Sequence, residues 1–139
     1  MPSPQHQALV LWGVRRMLFD GFSMTGVDGW VDRLGLPAGF PRPPVIQGVR
    51  PDASGWHASD DTEAFVEAKS ERDVDNAHTR KQLRELSSLQ SSSSGKPCTL
   101  YLVIPRSAAY ALDRVLIDLG LLRARNVRRV HVPDILLRH

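Results

Sequence analysis

The chain has few of the residues that staple or anchor a small protein. One cysteine, Cys98, stands among 139 residues. That excludes an internal disulfide and any multi-cysteine zinc site. No apolar run is long enough to span a bilayer. Met1 to Gln7 lacks the basic-then-apolar order of a signal peptide. Gly26, Gly29 and Gly35 match neither a P-loop nor a dinucleotide fingerprint. One cytoplasmic domain over residues 1–139 is expected, with no membrane partner and no organic cofactor. Lysine and glutamate are also scarce, at 3 Lys against 15 Arg, and 4 Glu. Their positions therefore carry weight.

What is present is ordinary for a folded domain: 42% hydrophobic and 24% charged residues. A chain of this length buries a core without staples. Residues 1–99 hold 11 basic and 12 acidic side chains, and residues 100–139 hold 7 and 3. The net charge of +3 therefore arises in the last stretch. This bias permits a polyanion partner without demonstrating one.

Hydrophobic periodicity predicts a helix over residues 5–22, with Leu9, Trp12, Val14, Met17 and Leu18 inward and Arg15 and Arg16 outward. The Gly/Pro-rich stretch 23–44 reads as a loop. Residues 45–52 read as a strand that Pro51 ends, 53–61 as a polar connection, and 62–70 as a second strand completing a hairpin. A helix follows over 74–90, capped by Asp73 or Asp75, with Leu83, Leu86 and Leu89 inward. Residues 90–97 read as a flexible Ser-rich loop. The apolar run 99–104 predicts a central strand. A helix capped by Ser107 runs to Leu119, and a last strand spans 127–132. The order α–β–β–α–β–α–β predicts an α/β fold, a mixed central sheet flanked by helices.

The chemistry-bearing residues lie on the hairpin. Pro51-Asp52 is followed after 14 residues by Glu67-Ala68-Lys69. Side chains two apart on a strand share a face, so Glu67 and Lys69 project together while Ala64, Val66 and Ala68 point away. Asp52, at the end of the neighbouring strand, approaches Glu67. Two hard carboxylates suit Mg²⁺ or Mn²⁺. Such an ion activates water and neutralises phosphate charge, and a neighbouring ammonium stabilises the charge that builds on the phosphorane. With so few Glu and Lys, a Glu-x-Lys arises by chance roughly 0.1 times in a chain of this composition. Phe65 shares the face of Glu67 and Lys69, which a fully wet hairpin face would not favour. The alternative is a solvated pair on an edge hairpin, with Pro51-Asp52 a simple turn.

This arrangement resembles the PD-(D/E)XK motif of the restriction-endonuclease-like nuclease superfamily, and the element order is similar to that superfamily's core. The resemblance implies a metal-dependent nuclease that hydrolyses DNA, structure-directed or non-specific, of resolvase-like or mobile-element type. By it, Asp52 and Glu67 hold the metal with the carbonyl of Ala68, and Lys69 is the catalytic lysine. Gln82, or His78 one turn earlier, supplies a polar group from the following helix. A homodimer is compatible with resolvase-like members. The acid such members carry on the first helix is missing, since only Asp20 stands at its end; Gln7 or His6 are the stand-ins. The alternative is a catalytically inactive module with the same fold that binds nucleic acid or assembles with partners.

Other residues have two readings. His78, Arg80, Lys81 and Arg84 form a basic helix face, for phosphate contact or for solvent. Trp56 stacks on a base or folds onto the sheet. Asp60 and Asp61 belong to the hairpin turn, and Glu63 is a reserve ligand. Arg123, Arg125, Arg128 and Arg129 grip a backbone or keep the chain soluble. Cys98 reads as a buried thiol.

Overall fold

The computed structural model describes residues 3–138. The chain is α/β, built as α1 (Pro4–Phe19), β1 (Ser23–Val27), β2 (Ala53–His57), β3 (Thr62–Ala68), α2 (Ala77–Ser87), β4 (Thr99–Pro105), α3 (Ala109–Leu119) and β5 (Val127–Val132). Short 3-10 turns cover Asp32–Leu34, Arg106–Ala108 and Asp134–Leu137. The strands form one five-stranded sheet in the order β1-β2-β3-β4-β5. The first three pair antiparallel and the last three parallel. No helix among the described residues is long and apolar enough to cross a membrane.

Strand alternation sorts the core into two halves. Ala64, Val66, Ala68, Tyr101 and Val103 face α1 and meet Leu9, Val14 and Met17. Phe65, Leu100, Leu102 and Ile104 face α2 and α3 and meet Leu83, Leu86, Leu112 and Leu116. Each fully buried Leu, Ile or Val contributes about 1.5–3 kcal/mol relative to exposure. Gly13 sets how close α1 comes. A Cβ there would stand 2.5 Å from Val103 Cγ2 and 2.6 Å from Val66 Cγ1. That close approach carries the first turn of α1 over the ends of β3 and β4.

The hairpin differs from the sequence expectation. Residues 45–52 form no strand: Gln47 and Gly48 take φ of 51° and 80°, and Ile46 and Val49 bridge across that turn. The strand partner of β3 is instead β2, inside the stretch expected to connect. A further strand, β1, lies inside the expected Gly/Pro loop. Gly26 has a reason to be there, because a Cβ would sit 2.8 Å from both Pro43 N and Ser54 Oγ. The ladder shifts register beside it, between Met24 and Gly26. The order is thus α–β–β–β–α–β–α–β.

Capping also differs. Asn76, not Asp73 or Asp75, starts α2, accepting from Thr79 N at 2.7 Å. Ser107 caps nothing, since its backbone N–H and hydroxyl are both spent on Asp134. The Ser-rich segment is tied down. Ser92 donates to Glu63, Ser93 and Ser94 donate to Asp61, and Lys96 donates to the Asp60 carbonyl. Leu18 of the expected inward stripe is exposed, while Leu9, Val14 and Met17 are buried as expected.

Candidate active site

Asp52 stands immediately before β2, with its backbone locked between two segments. Its N–H donates to the Val66 carbonyl at 2.9 Å, and its carbonyl accepts from Asp28 N at 2.9 Å. The side chain is gripped as well. Ala68 N donates to Oδ2 at 2.8 Å, and His6 Nε2 lies 3.0 Å from Oδ1. A carboxylate only accepts, so His6 carries its proton on Nε2. His6 comes from the first turn of α1, where Ser3 Oγ accepts from His6 N at 3.1 Å. Its hydrogen bond to Asp52 raises the His6 pKa, and burial works against that.

Glu67, one residue before Ala68, is 2% exposed. Its neighbours on the helix side are mostly apolar, Val74, Leu83, Leu102, Ile104 and Leu112, with Thr79 and Lys69 the polar exceptions. Its Oε2 is buried with no hydrogen-bond partner. Burial pushes its pKa well above the ordinary carboxylate range, and the negative charge of Asp52 adds to that. An unpaired buried polar atom costs about 1–3 kcal/mol. Folding alone would select against it, and such unpaid groups concentrate at functional sites.

Lys69 projects on the same side as Glu67. Its backbone N–H donates to the Val103 carbonyl at 2.9 Å, extending the β3–β4 ladder by one residue. Its ammonium donates to Gln82 Oε1 of α2. Gln82 is buried and therefore a positioned acceptor. In front of Lys69 opens a cavity of about 290 Å³, lined by His6, Ser70, Asp73, Asn76, His78 and Thr79 among others, so that one carboxylate stands among its polar groups.

The structure therefore brings together Asp52, Glu67, Ala68, Lys69 and Gln82, five residues the sequence pattern singled out. His78 lines the cavity beside them. Of the remaining basic face, Arg80 is turned into ion pairs with Asp75 at 2.8 Å and Asp118 at 3.1 Å. Lys81 and Arg84 are exposed. Glu63 is not at this site: it lines a separate groove beside Trp56, where its Oε1 accepts from Ser92. Asp20 lies at the far end of α1 from His6, about 21 Å away at 1.5 Å per residue. It cannot be the missing helix-1 acid. Gln7 is buried with its amide against Gly29, not against Asp52. His6 occupies the place. Asn76 and Thr79 line the cavity without any sequence signal beyond their place in the first turn of α2.

No family model, curated protein or solved structure matches the chain. Among the described residues, no group of three or more His, Cys, Asp and Glu side chains converges as a metal-binding cluster. The donor set is two carboxylates, one of them with an unspent oxygen. Those are hard oxygen donors of the kind Mg²⁺ and Mn²⁺ take, and both ions keep waters when the protein supplies few ligands.

Proposed function

We propose that the chain is a metal-dependent nuclease that hydrolyses phosphodiester bonds in DNA, with a core of the restriction-endonuclease-like kind. The observation that carries this reading is the buried, unpartnered Glu67 Oε2 beside Asp52, with Lys69 two residues along the same strand face. Asp52 and Glu67 would hold Mg²⁺ or Mn²⁺, with the Ala68 carbonyl next to them. Once bound, such an ion supplies an activated water and neutralises phosphate charge.

The chain's own residues do the rest. The Ala68 N–H and His6 fix the orientation of the Asp52 carboxylate. The apolar wall of α2, β4 and α3 keeps water from Glu67, so its charge is worth spending only on a cation. Gln82 holds the Lys69 ammonium at the cavity mouth. There it faces a phosphate bound in the cavity and stabilises negative charge developing on its oxygens. Lysine suits this place as a compact point charge. His78 and Asn76 stand at the same opening, where the N-terminus of α2 favours an anion.

His6 standing where a first-helix acid is expected favours one other reading, a nuclease-like fold that binds nucleic acid without cutting it. Cleavage separates the two. Labelled linear, supercoiled, single-stranded and four-way-junction DNA, and RNA, are incubated with Mg²⁺ or Mn²⁺ and either wild type or Lys69→Ala. Metal-dependent cleavage of DNA that falls by orders of magnitude in the variant is expected. Equal cleavage by both proteins means a contaminant and overturns the assignment. Binding without cleavage selects the non-catalytic module.

A further inference from the structure

The sheet carries a second feature on the face that holds Glu67 and Lys69. Cross-strand partners share a face. The register Ser54↔Phe65 and Trp56↔Glu63 therefore puts Ser54 and Trp56 on the side of Phe65 and Glu67. On that side α2 packs against β4, two strands away from β2. An open groove of about 400 Å³ lies there, lined by Thr25, Pro44, Ser54, Trp56, Glu63 and Ser92 among others.

The groove is shaped by fixed groups. Trp56 is 41% exposed, yet its indole is held by a 3.1 Å hydrogen bond from Nε1 to Asp61 Oδ1. Asp61 is itself braced by Ser93 Oγ at 2.6 Å. Glu63 Oε1 accepts from Ser92 N and Oγ, both at 3.0 Å. Thr25 Oγ1 donates to Ser54 Oγ at 2.9 Å on the floor. A rigid aromatic plane flanked by hydroxyls and a carboxylate matches a flat heterocycle with polar edges. Glu63, which lines the groove, disfavours a phosphate there, and its other oxygen, Oε2, remains to accept from the exocyclic amine of a base.

We propose that the Trp56 groove receives an unpaired base of the strand whose phosphate lies at Asp52 and Lys69, making the protein selective for single-stranded or unstacked nucleic acid. The inference rests on the nuclease reading. Trp56 is four residues along the chain from Asp52, about 14 Å at strand spacing. That is about four nucleotides at the 3.4 Å stacked rise, and fewer in an extended strand. A paired base cannot enter the groove without leaving its stack, so duplexes lose this contact.

The test compares wild type, Trp56→Ala and Trp56→Phe without divalent metal. Fluorescence anisotropy gives the affinity for a labelled single-stranded oligodeoxycytidylate and for a duplex of the same length. Trp56→Ala is expected to lower the single-strand to duplex affinity ratio about 5- to 100-fold, the range of one lost base stack. Trp56→Phe, which keeps an aromatic plane and the fold, restores most of the ratio. An unchanged ratio in Trp56→Ala overturns the proposal. So does sedimentation showing a wild-type dimer that Trp56→Ala dissociates, which gives the face to a second copy. Metal-dependent cleavage by wild type alongside an unchanged ratio sinks the groove alone. Absence of cleavage on every substrate sinks the nuclease reading instead.

Discussion

Two polar clusters sit on opposite faces of the sheet, and only one is closed. On the α1 face, Tyr101 Oη donates to Asp20 Oδ2 at 2.6 Å, and Arg128 Nη1 reaches the same oxygen at 2.9 Å. Arg16 adds a further donor at 3.2 Å. Burial pushes the Asp20 carboxyl up, but Tyr101, Arg16 and Arg128 together bring it below its usual range. Charge, hydrogen bonds and packing agree there, as in a group that serves the fold. On the α2 face, Glu67 is buried deeper and is left with an oxygen nothing satisfies. The same chain that closes one cluster leaves the other open.

Four experiments break or sharpen this contrast. The largest effect belongs to the open cluster. Lys69→Ala is expected to reduce metal-dependent DNA cleavage by about 10²-fold or more, and to lower the thermal midpoint modestly, because it leaves the buried Gln82 Oε1 without its donor. Cleavage assays with circular dichroism melts check both halves. Next is the closed cluster. Tyr101→Phe removes the donor to Asp20 and should lower stability by about 1–2 kcal/mol in urea titrations, with no loss of cleavage by the folded protein.

The third effect has the opposite sign. Glu67→Gln should abolish cleavage yet stabilise the fold above pH 4.5. The Glu67 pKa in the folded state is raised above its ordinary 4.5. The unfolded chain therefore releases this proton first, and the native state is penalised increasingly as pH rises from 4.5 towards the raised value. The stabilisation should grow as pH rises above 4.5 and vanish below it. Urea titrations at several pH values check it. The smallest effect is the mirror image. Asp20 titrates below its ordinary 3.8 in the fold. Its contribution is full above that pH and is lost as pH falls through the lowered value. Asp20→Asn should therefore flatten the acid limb of the stability curve below pH 3.8.

The site was more legible in the sequence than the fold around it. Glu67 and Lys69 follow from strand alternation, and Gln82 from its place on the next helix. Strand β4 reads directly from its apolar run, and β3 and β5 read as strands at 62–70 and 127–132. Strands β1 and β2 did not, because their sequences, Ser-Met-Thr-Gly-Val and Ala-Ser-Gly-Trp-His, are small and polar. Tertiary crowding, not propensity, decides them: Gly26 lies against Pro43, and Gly55 admits Met17, whose Sδ would stand 2.8 Å from a Cβ there. Val45-Ile46 looked like a strand, yet the left-handed pair Gln47-Gly48 folds it back on itself. His6 was weighed only as a stand-in for an acid, because no local pattern shows that α1 delivers its first turn to Asp52. Glu67's unsatisfied oxygen has no sequence signature at all. It is visible only once Leu83, Leu102 and Leu112 close around it.

The most direct test of the open cluster is metal binding read by thermal denaturation, which needs no substrate. Mn²⁺ is titrated into wild type, Asp52→Ala and Glu67→Gln, followed by the midpoint of unfolding. A ligand that binds only the folded state raises that midpoint with its concentration. A rise in wild type that is absent in both variants is the predicted result. No rise in wild type, or the same rise in all three, would contradict the claim that Asp52 and the unsatisfied oxygen of Glu67 together bind a cation.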